Sequence, residues 1–266
     1  MKTVVLDPPI AQGRTADVFA WEDGFALKLF HPWFPFEDVE YEYRIAQAVH
    51  ASGVKSPAVK EIVQVHGRNG LIYERINGET MFALLKRQPW KVFRFGALLA
   101  QQHIQTHARD FNAEVPLQKQ NLQNKIKRAD ALPIHLKQEL LDALAPLPTG
   151  NKVCHGDFHP DNIIMTENDS VVLDWINATK GNPLADVART SVLALGSAST
   201  QTPGMKIFIK LFHAAYLKEY FRLSPDGREE YHQWLPIVAG ARLSENIPEL
   251  EGWLLEQAGK ATRRGP

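Results

Sequence analysis

Cysteine is nearly missing: Cys154 stands alone in 266 residues. One thiol cannot close an internal disulfide or build a thiolate zinc cluster. A disulfide-stapled secreted scaffold is thereby excluded, and a reducing compartment, the cytoplasm, is the expected home. Cys154 itself reads as a buried structural thiol. Net charge is missing as well. Thirty basic and thirty acidic residues cancel, so the overall charge calls for neither nucleic acid nor an anionic membrane surface. No stretch approaches the roughly 20 apolar residues of a membrane span. The opening MKTVVLDPPI breaks its apolar run at Asp7, Pro8 and Pro9 and lacks the apolar core of a secretory signal. The sequon patterns at Asn168 and Asn177 are then chance matches. Internal repeats and low-complexity segments are absent, and the tail from Lys260 is expected to fray.

Apolar residues make up 44% and charged residues 23%, which excludes disorder and suits one large domain or two lobes. Two textures divide the chain. The first seventy-odd residues read as β-β-α-β-β. TADVFAW and FALKLF flank an Asp23-Gly24 turn, and EIVQV and LIYERI flank HGRNG, with Asn69-Gly70 expected in the turn. Between the pairs, FEDVEYEYRIAQAVHASG reads as one helix closed by Gly53. From about Gly78 long helical periods take over, in VFRFGALLAQQHIQTHA, HLKQELLDALAPL and IFIKLFHAAYLKEYF. Strands return only near residues 153 to 175, where NIIM and VVLDW flank TENDS as a short hairpin.

That hairpin is bracketed by VCHGDFHPDN and by Asp174. Folding its strands side by side brings the loop's polar groups close to Asp174. Asn162 and Asp174 then offer two oxygen ligands to a hard cation such as Mg²⁺, and Asp157 is left as a base. Phosphoryl transfer needs this inventory: a carboxylate at the acceptor hydroxyl, ligands for the metal that neutralises the phosphates, and a cation on the phosphate oxygens.

HGDFHPDN followed by LDW resembles the catalytic loop and metal-binding segment of the aminoglycoside phosphotransferase and choline kinase family. The resemblance implies an α+β, two-lobed, protein-kinase-like fold: a small antiparallel-sheet lobe with one helix over residues 1–77, a hinge at about 73–78, and a larger, mainly helical lobe over 78–266. It implies an ATP- and Mg²⁺-dependent phosphotransferase acting on a hydroxyl of a small molecule, whether aminoglycoside, amino alcohol or sugar. By that resemblance Asp157 is the catalytic base, Asn162 and Asp174 the metal ligands, and His155 a support for the loop. GRTADVFAW resembles the phosphate-covering loop, with Gly13, Arg14 and Thr15 as its donors, and Lys28 matches the lysine on the α- and β-phosphates. Backbone groups of Glu74, Arg75 and Ile76 would meet adenine. Asp186 resembles the acidic residue that starts a helix and steadies the catalytic loop.

Helical geometry selects the carboxylate for Lys28. Glu42 lies amid Val39, Ile45, Ala46 and Val49, whereas Glu40 shares the polar side with Arg44 and Gln47. A buried carboxylate needs a partner, so Glu42 is preferred, with Glu40 as fallback. The phosphate loop has one glycine rather than G-x-G-x-x-G, and neither D-F-G nor A-P-E occurs after Asp174, which favours a small acceptor over a protein. An unusual protein kinase and a silent nucleotide-binding scaffold are the competing readings. His103 and His107 have the spacing of a zinc-protease helix but lack its glutamate, and read as packing or surface histidines. His159 either touches phosphate or metal or only packs. Glu245, Glu249 and Glu251 either line a site for a cationic acceptor or form the polar face of terminal helices.

Overall fold

The computed structural model describes residues 6–22, 24–167 and 169–260. Asp23 of the first expected turn, the Asn168 sequon and the tail beyond residue 260 lie outside the described residues. The chain begins with β1 (Ala11–Gln12), β2 (Ala16–Ala20), β3 (Phe25–Phe30), α1 (Phe36–Ala51), β4 (Val59–Val65) and β5 (Arg68–Glu74). The five strands form one antiparallel sheet in the order β1-β2-β3-β5-β4. Alternation decides its faces. Phe19, Leu27, Leu29 and Ile72 pack together on one face, while Ala16, Phe30 and Leu71 meet Val39 of α1 on the other.

The second hairpin turns at His66–Gly67, not at Asn69-Gly70. Val65 pairs with Arg68, and the two loop residues have φ of 50° and 74°, the conformation that two-residue hairpins need to match strand twist. Asn69 and Gly70 pair with Gln64 and Val63 inside the ladder. The Asn-Gly signal was outcompeted by a glycine two residues earlier, and Gly70 serves packing instead: a Cβ there would come within 2.7 Å of Leu27 Cδ1.

The second part holds β6 (Glu79–Thr80), α2 (Met81–Arg87), α3 (Val92–His107), α4 (Gln118–Arg128), α5 (Ile134–Leu144), β7 (Lys152–Cys154), β8 (Ile163–Met165), β9 (Ser170–Val172), β10 (Thr179–Gly181), α6 (Pro183–Ser199), α7 (Pro203–Leu223), α8 (Arg228–Arg242) and α9 (Pro248–Ala258). The expected inserted hairpin is β8-β9, extended by β6 into three strands, while β7 pairs with β10. One hydrophobic core runs through this helical part, and Ile45 and Val49 of α1 join it. Thus α1 carries apolar residues into both the sheet's cluster and the helical core. The architecture is a small antiparallel-sheet lobe with one helix beside a larger helical lobe. Among the described residues no helix is long and apolar enough to cross a membrane.

Helices α3 and α7 pack tightly at Gly96, where a Cβ would lie 2.7 Å from the Phe212 carbonyl oxygen and 2.8 Å from the Ala215 methyl. Backbone cannot yield there as a flexible side chain would. Gly96→Val is therefore expected to lower stability by about 1–3 kcal/mol through overpacking, read as a lower urea midpoint; an unchanged midpoint would show that the helices can separate freely.

Candidate active site

Strand β7 ends at Cys154, and the chain then enters the polar loop. Asp186, in the first turn of α6, catches it: the His155 N–H donates to Asp186 Oδ2 at 2.6 Å and the Gly156 N–H to Oδ1 at 2.8 Å. Gly156 is required twice over, by its φ of 78° and by the Asn177 carbonyl oxygen, 2.6 Å from any Cβ. The Asp157 N–H donates to His155 Nδ1, and His155 Nε2 bonds the Leu173 carbonyl at 2.9 Å. His155 is fully buried and packs on Trp175, with ring centroids 4.4 Å apart. It thereby couples the start of the loop to the residues flanking Asp174. Further along, Arg189 Nε donates to the Gly156 carbonyl and Thr190 Oγ1 to that of Phe158.

A single 3₁₀ turn, Pro160–Asn162, leads into β8. Asn162 donates its Nδ2 to the Asp157 carbonyl at 3.0 Å, and the same nitrogen lies 3.3 Å from His159 Nε2. The Leu173 N–H donates to the Asn162 carbonyl at 2.8 Å, holding the two ends of the hairpin together. Asp174 follows with φ of 60°, a left-handed conformation that aspartate tolerates better than most residues but that still costs about 1 kcal/mol. Its side chain is 45% exposed, and its Oδ1 lies 3.6 Å from Lys28 Nζ.

Lys28 stands on the face of β3 that looks towards α1, where its Nζ meets Glu42 Oε1 at 2.6 Å. Glu42 is buried on the apolar stripe of α1, and Glu40 is exposed. The Tyr73 hydroxyl also donates to Glu42 Oε1, at 3.1 Å. Tyr73 was missed by the sequence reading, although it alternates with buried Leu71 on the same strand face and the period of two would have found it. Burial alone would lower the Lys28 pKa, but the charges of Glu42 and Asp174 and their hydrogen bonds outweigh it and raise it.

Asp157 is half-buried. Burial pushes its carboxyl up, yet the hydrogen bond and charge of His159, then Arg189 and His155, hold it at about 2. His159 Nε2 sits 3.4 Å from Asp157 Oδ2, so it faces the loop's own carboxylate. Gly13 and Arg14 are exposed and Thr15 half-buried in the β1–β2 turn, where the Gly13 N–H is already given to the Ala16 carbonyl and the Thr15 carbonyl accepts from the His31 N–H. Glu74 ends β5 and Arg75 follows it, and their N–H groups go to the carbonyls of Ala58 and Gly24. Ile76 follows them, half-buried. Glu245 pairs with Arg189 at 2.7 Å, whereas Glu249 and Glu251 lie exposed on α9.

Among the described residues, one group of at least three His, Cys, Asp or Glu side chains has metal-ligand spacing: His103, His107 and Asp186. Its atoms are already used. Both histidines bond Asp186 Oδ2 through Nε2, at 3.1 and 3.3 Å, and their Nδ1 atoms pair with the hydroxyls of Tyr216 and Tyr220. Burial first, then His107, brings the His103 pKa down to about 3, so its imidazole is neutral. Burial raises the Asp186 carboxyl, but hydrogen bonds from His103 and His107 overcome this and keep it well below its usual value. The cluster is a hydrogen-bonded brace, and the packing role read from the sequence for the two histidines is deeper than a surface contact.

Family comparison meets this geometry directly. The model of the APH family, described as the phosphotransferase enzyme family, matches residues 8–234. The chain belongs to that family. Its enzyme class is accordingly phosphotransferase. None of the curated proteins matches the sequence. Solved structures share the protein-kinase-like fold. An apo thermostable mutant of aminoglycoside phosphotransferase APH(4)-Ia has a TM-score of 0.62 at 16% identity, covering 98% of this chain and 94% of its own. The amicoumacin kinase hAmiN has a TM-score of 0.62 at 14% identity, over 100% and 89%. A choline/ethanolamine kinase family protein from Mesorhizobium loti has 0.53 at 17% identity, over 95% and 86%.

The buried histidines set the response of the fold to acid. His103 titrates near 3 and His213, lowered by burial, near 4, while unfolded histidine titrates near 6.5. Below that value the unfolded chain binds protons that the folded chain refuses, so stability drops as pH falls from about 6.5 towards 4. Asp186 adds to the loss at the acid end, because a depressed carboxyl stabilises only above its own folded pKa. Melting temperature is expected to decline steadily from pH 7 to 4; a flat profile between 7 and 5 would contradict neutral burial of these rings.

Proposed function

We propose that the chain transfers the γ-phosphate of ATP to a hydroxyl of a small molecule, with Mg²⁺ as cofactor. The observation that carries this reading is the meeting of Lys28, paired to Glu42, with Asp174 at 3.6 Å, because it joins a phosphate-binding cation on the sheet to the loop that holds Asp157 and Asn162. In this reading residues 1–77 grip the nucleotide, residues 78–266 hold the acceptor, and the chain between 73 and 78 is the hinge. Solved proteins of this fold carry comparable ligands: AMP-PNP, Ca²⁺ and amicoumacin in the amicoumacin kinase, and streptomycin with ATP in an APH(2″)-IIa complex.

Each side chain then has a task. Lys28, oriented by Glu42 and Tyr73, holds the α- and β-phosphates. The turn of Gly13, Arg14 and Thr15 covers the phosphates, with the Thr15 hydroxyl and the Arg14 guanidinium as donors. Since the Glu74 and Arg75 amides are already given to the Ala58 and Gly24 carbonyls, adenine is met by the Ile76 amide and by neighbouring carbonyls. Asn162 and Asp174 would hold the metal: the Nδ2 contacts of Asn162 leave Oδ1 without a hydrogen-bond partner among the described residues, and the Asp174 carboxylate is open to solvent, an oxygen set that suits a hard divalent ion. Bound there, Mg²⁺ would neutralise the β- and γ-phosphate oxygens.

In the transfer, the acceptor oxygen bonds to the γ-phosphorus as the bond to the β–γ bridging oxygen breaks and ADP leaves. The hydroxyl proton passes to Asp157. A carboxylate held at about 2 is a weak base but is ionised at neutral pH, which suits a loose transition state in which it orients the hydroxyl and takes the proton late. Lone, fully buried Cys154 accords with work in a reducing cytoplasm.

Asp157→Asn is expected to lower kcat by about 10²–10⁴-fold while Mg·ATP still binds; unchanged turnover would remove Asp157 from the mechanism. Asp174→Ala deletes a charged ligand and is expected to weaken Mg²⁺-dependent nucleotide binding in calorimetry by about tenfold or more. Undiminished affinity would contradict the metal assignment.

A further inference from the structure

A second cleft opens beside the Asp157 loop, between α4, α6 and the end of α8, with Gly156 in its wall. Three cations line it: Lys125 of α4, Arg189 of α6 and Arg242 of α8. Arg189 is occupied, with Nε on the Gly156 carbonyl and Nη2 on Glu245. Arg242 is not. It is only 8% exposed, yet its Nε and Nη1 have no hydrogen-bond partner among the described residues, and its approach to Glu245 stops at 3.5 Å. A guanidinium buried with unsatisfied donors is costly unless an acceptor arrives.

Lys125 lines the cleft from a half-buried position on α4. Burial lowers its pKa, and Arg189 and Arg128 lower it further against the pull of Glu245 and Asp157. Three cations thus share one carboxylate, Glu245, while Asp157 is reserved for the reacting hydroxyl. Gly156, the chain neighbour of Asp157, stands in the cleft wall, so a group bound among the three cations belongs to a molecule whose hydroxyl can reach that carboxylate. The amides of Asn121 and Asn177 line the same cleft and suit additional hydroxyls.

We propose that the phosphate acceptor is an alcohol that also carries an oxyanion, a carboxylate or a phosphate monoester, and that Lys125, Arg189 and Arg242 bind that group. This rests on the phosphotransferase reading above and names its acceptor class; the transfer step is the one already balanced there. The planar fork of Arg242 matches either oxyanion in a bidentate manner. An aminoglycoside or a choline-like cation would place like charge against these three cations, a repulsion that discriminates between acceptor classes.

The test compares matched acceptors with the intact protein and Mg·ATP, reading ADP release and product mass. Glycerate and homoserine supply carboxylates, glycerol 3-phosphate a phosphate ester, glycerol and homoserine amide the counterparts without the oxyanion, and kanamycin and choline the cations. At least one oxyanion-bearing compound is expected to show kcat/KM about 100-fold above its counterpart, and the arm that responds tells carboxylate from phosphate. Arg242→Gln is expected to erase about tenfold or more of that ratio, mainly through KM. Lys125→Gln, at the half-exposed α4 position, does the same if the Arg242 variant misfolds. Preference for kanamycin or choline, or equal use of the counterparts, overturns the oxyanion assignment and leaves the phosphotransferase reading standing. No product from any compound while Mg·ATP still binds also overturns it; loss of Mg·ATP binding altogether sinks the phosphotransferase reading, and this proposal with it.

Discussion

The Asp186 carboxylate is the constraint on which the polar loop depends. Its two oxygens accept the N–H groups of His155 and Gly156 and the Nε2 atoms of His103 and His107, so one buried charge ties α3, α6 and the residues after β7 into a single unit. Tyr216 and Tyr220 extend the brace to α7. A lone carboxylate in this interior would be expelled or protonated. Four donors, together with its place in the first turn of α6 where the helix dipole favours negative charge, let it stay ionised. Once the backbone of His155 and Gly156 is fixed, Asp157 has little freedom left.

From this brace the rest of the site is reached by short covalent and hydrogen-bonded steps. His155 reaches the Leu173 carbonyl, and Leu173 in turn bonds Asn162. Asp174 is then presented on a left-handed backbone, 3.6 Å from Lys28. The sheet contributes its own fixed pair, Lys28 and Glu42, with Tyr73 completing the carboxylate's partners. Within the site the two halves meet at Lys28 and Asp174, where the Asp174 side chain is exposed and a bound ion with phosphates would fit. A rigid frame with its open position at the junction is what preorganised charge stabilisation asks for.

Much of this could be read from residues alone where the signal is local. The strand residues of FALKLF placed the sheet, and the helical stripe of Val39, Glu42, Ile45 and Val49 placed the helix and the partner of Lys28, because burial on a helix follows its period. The hairpin after HGDFHPDN was visible from its strand residues. What escaped was contact over long sequence separation. Nothing in HIQTH announces that both imidazoles will meet a carboxylate some eighty residues later, and nothing in Lys125, Arg189 and Arg242 taken singly shows that α4, α6 and α8 bring them round one cleft. Glu245 was read as a candidate for cationic ligands, yet it is paired to Arg189. The Asn69-Gly70 turn failed for a local reason: two adjacent glycine signals competed, and sheet packing around Gly70 chose between them.

The central claim is that the Asn162–Asp174 junction is the working metal site and that the Asp186 cluster only braces it. A structure with Mg²⁺ and a non-hydrolysable ATP analogue tests it most directly. The account predicts the ion at about 2.1 Å from Asn162 Oδ1 and the Asp174 carboxylate, with the γ-phosphate turned towards Asp157 and the hydrogen bonds of Asp186 intact. An ion found instead among His103, His107 and Asp186, or one that leaves Asp174 without a metal contact, would contradict it.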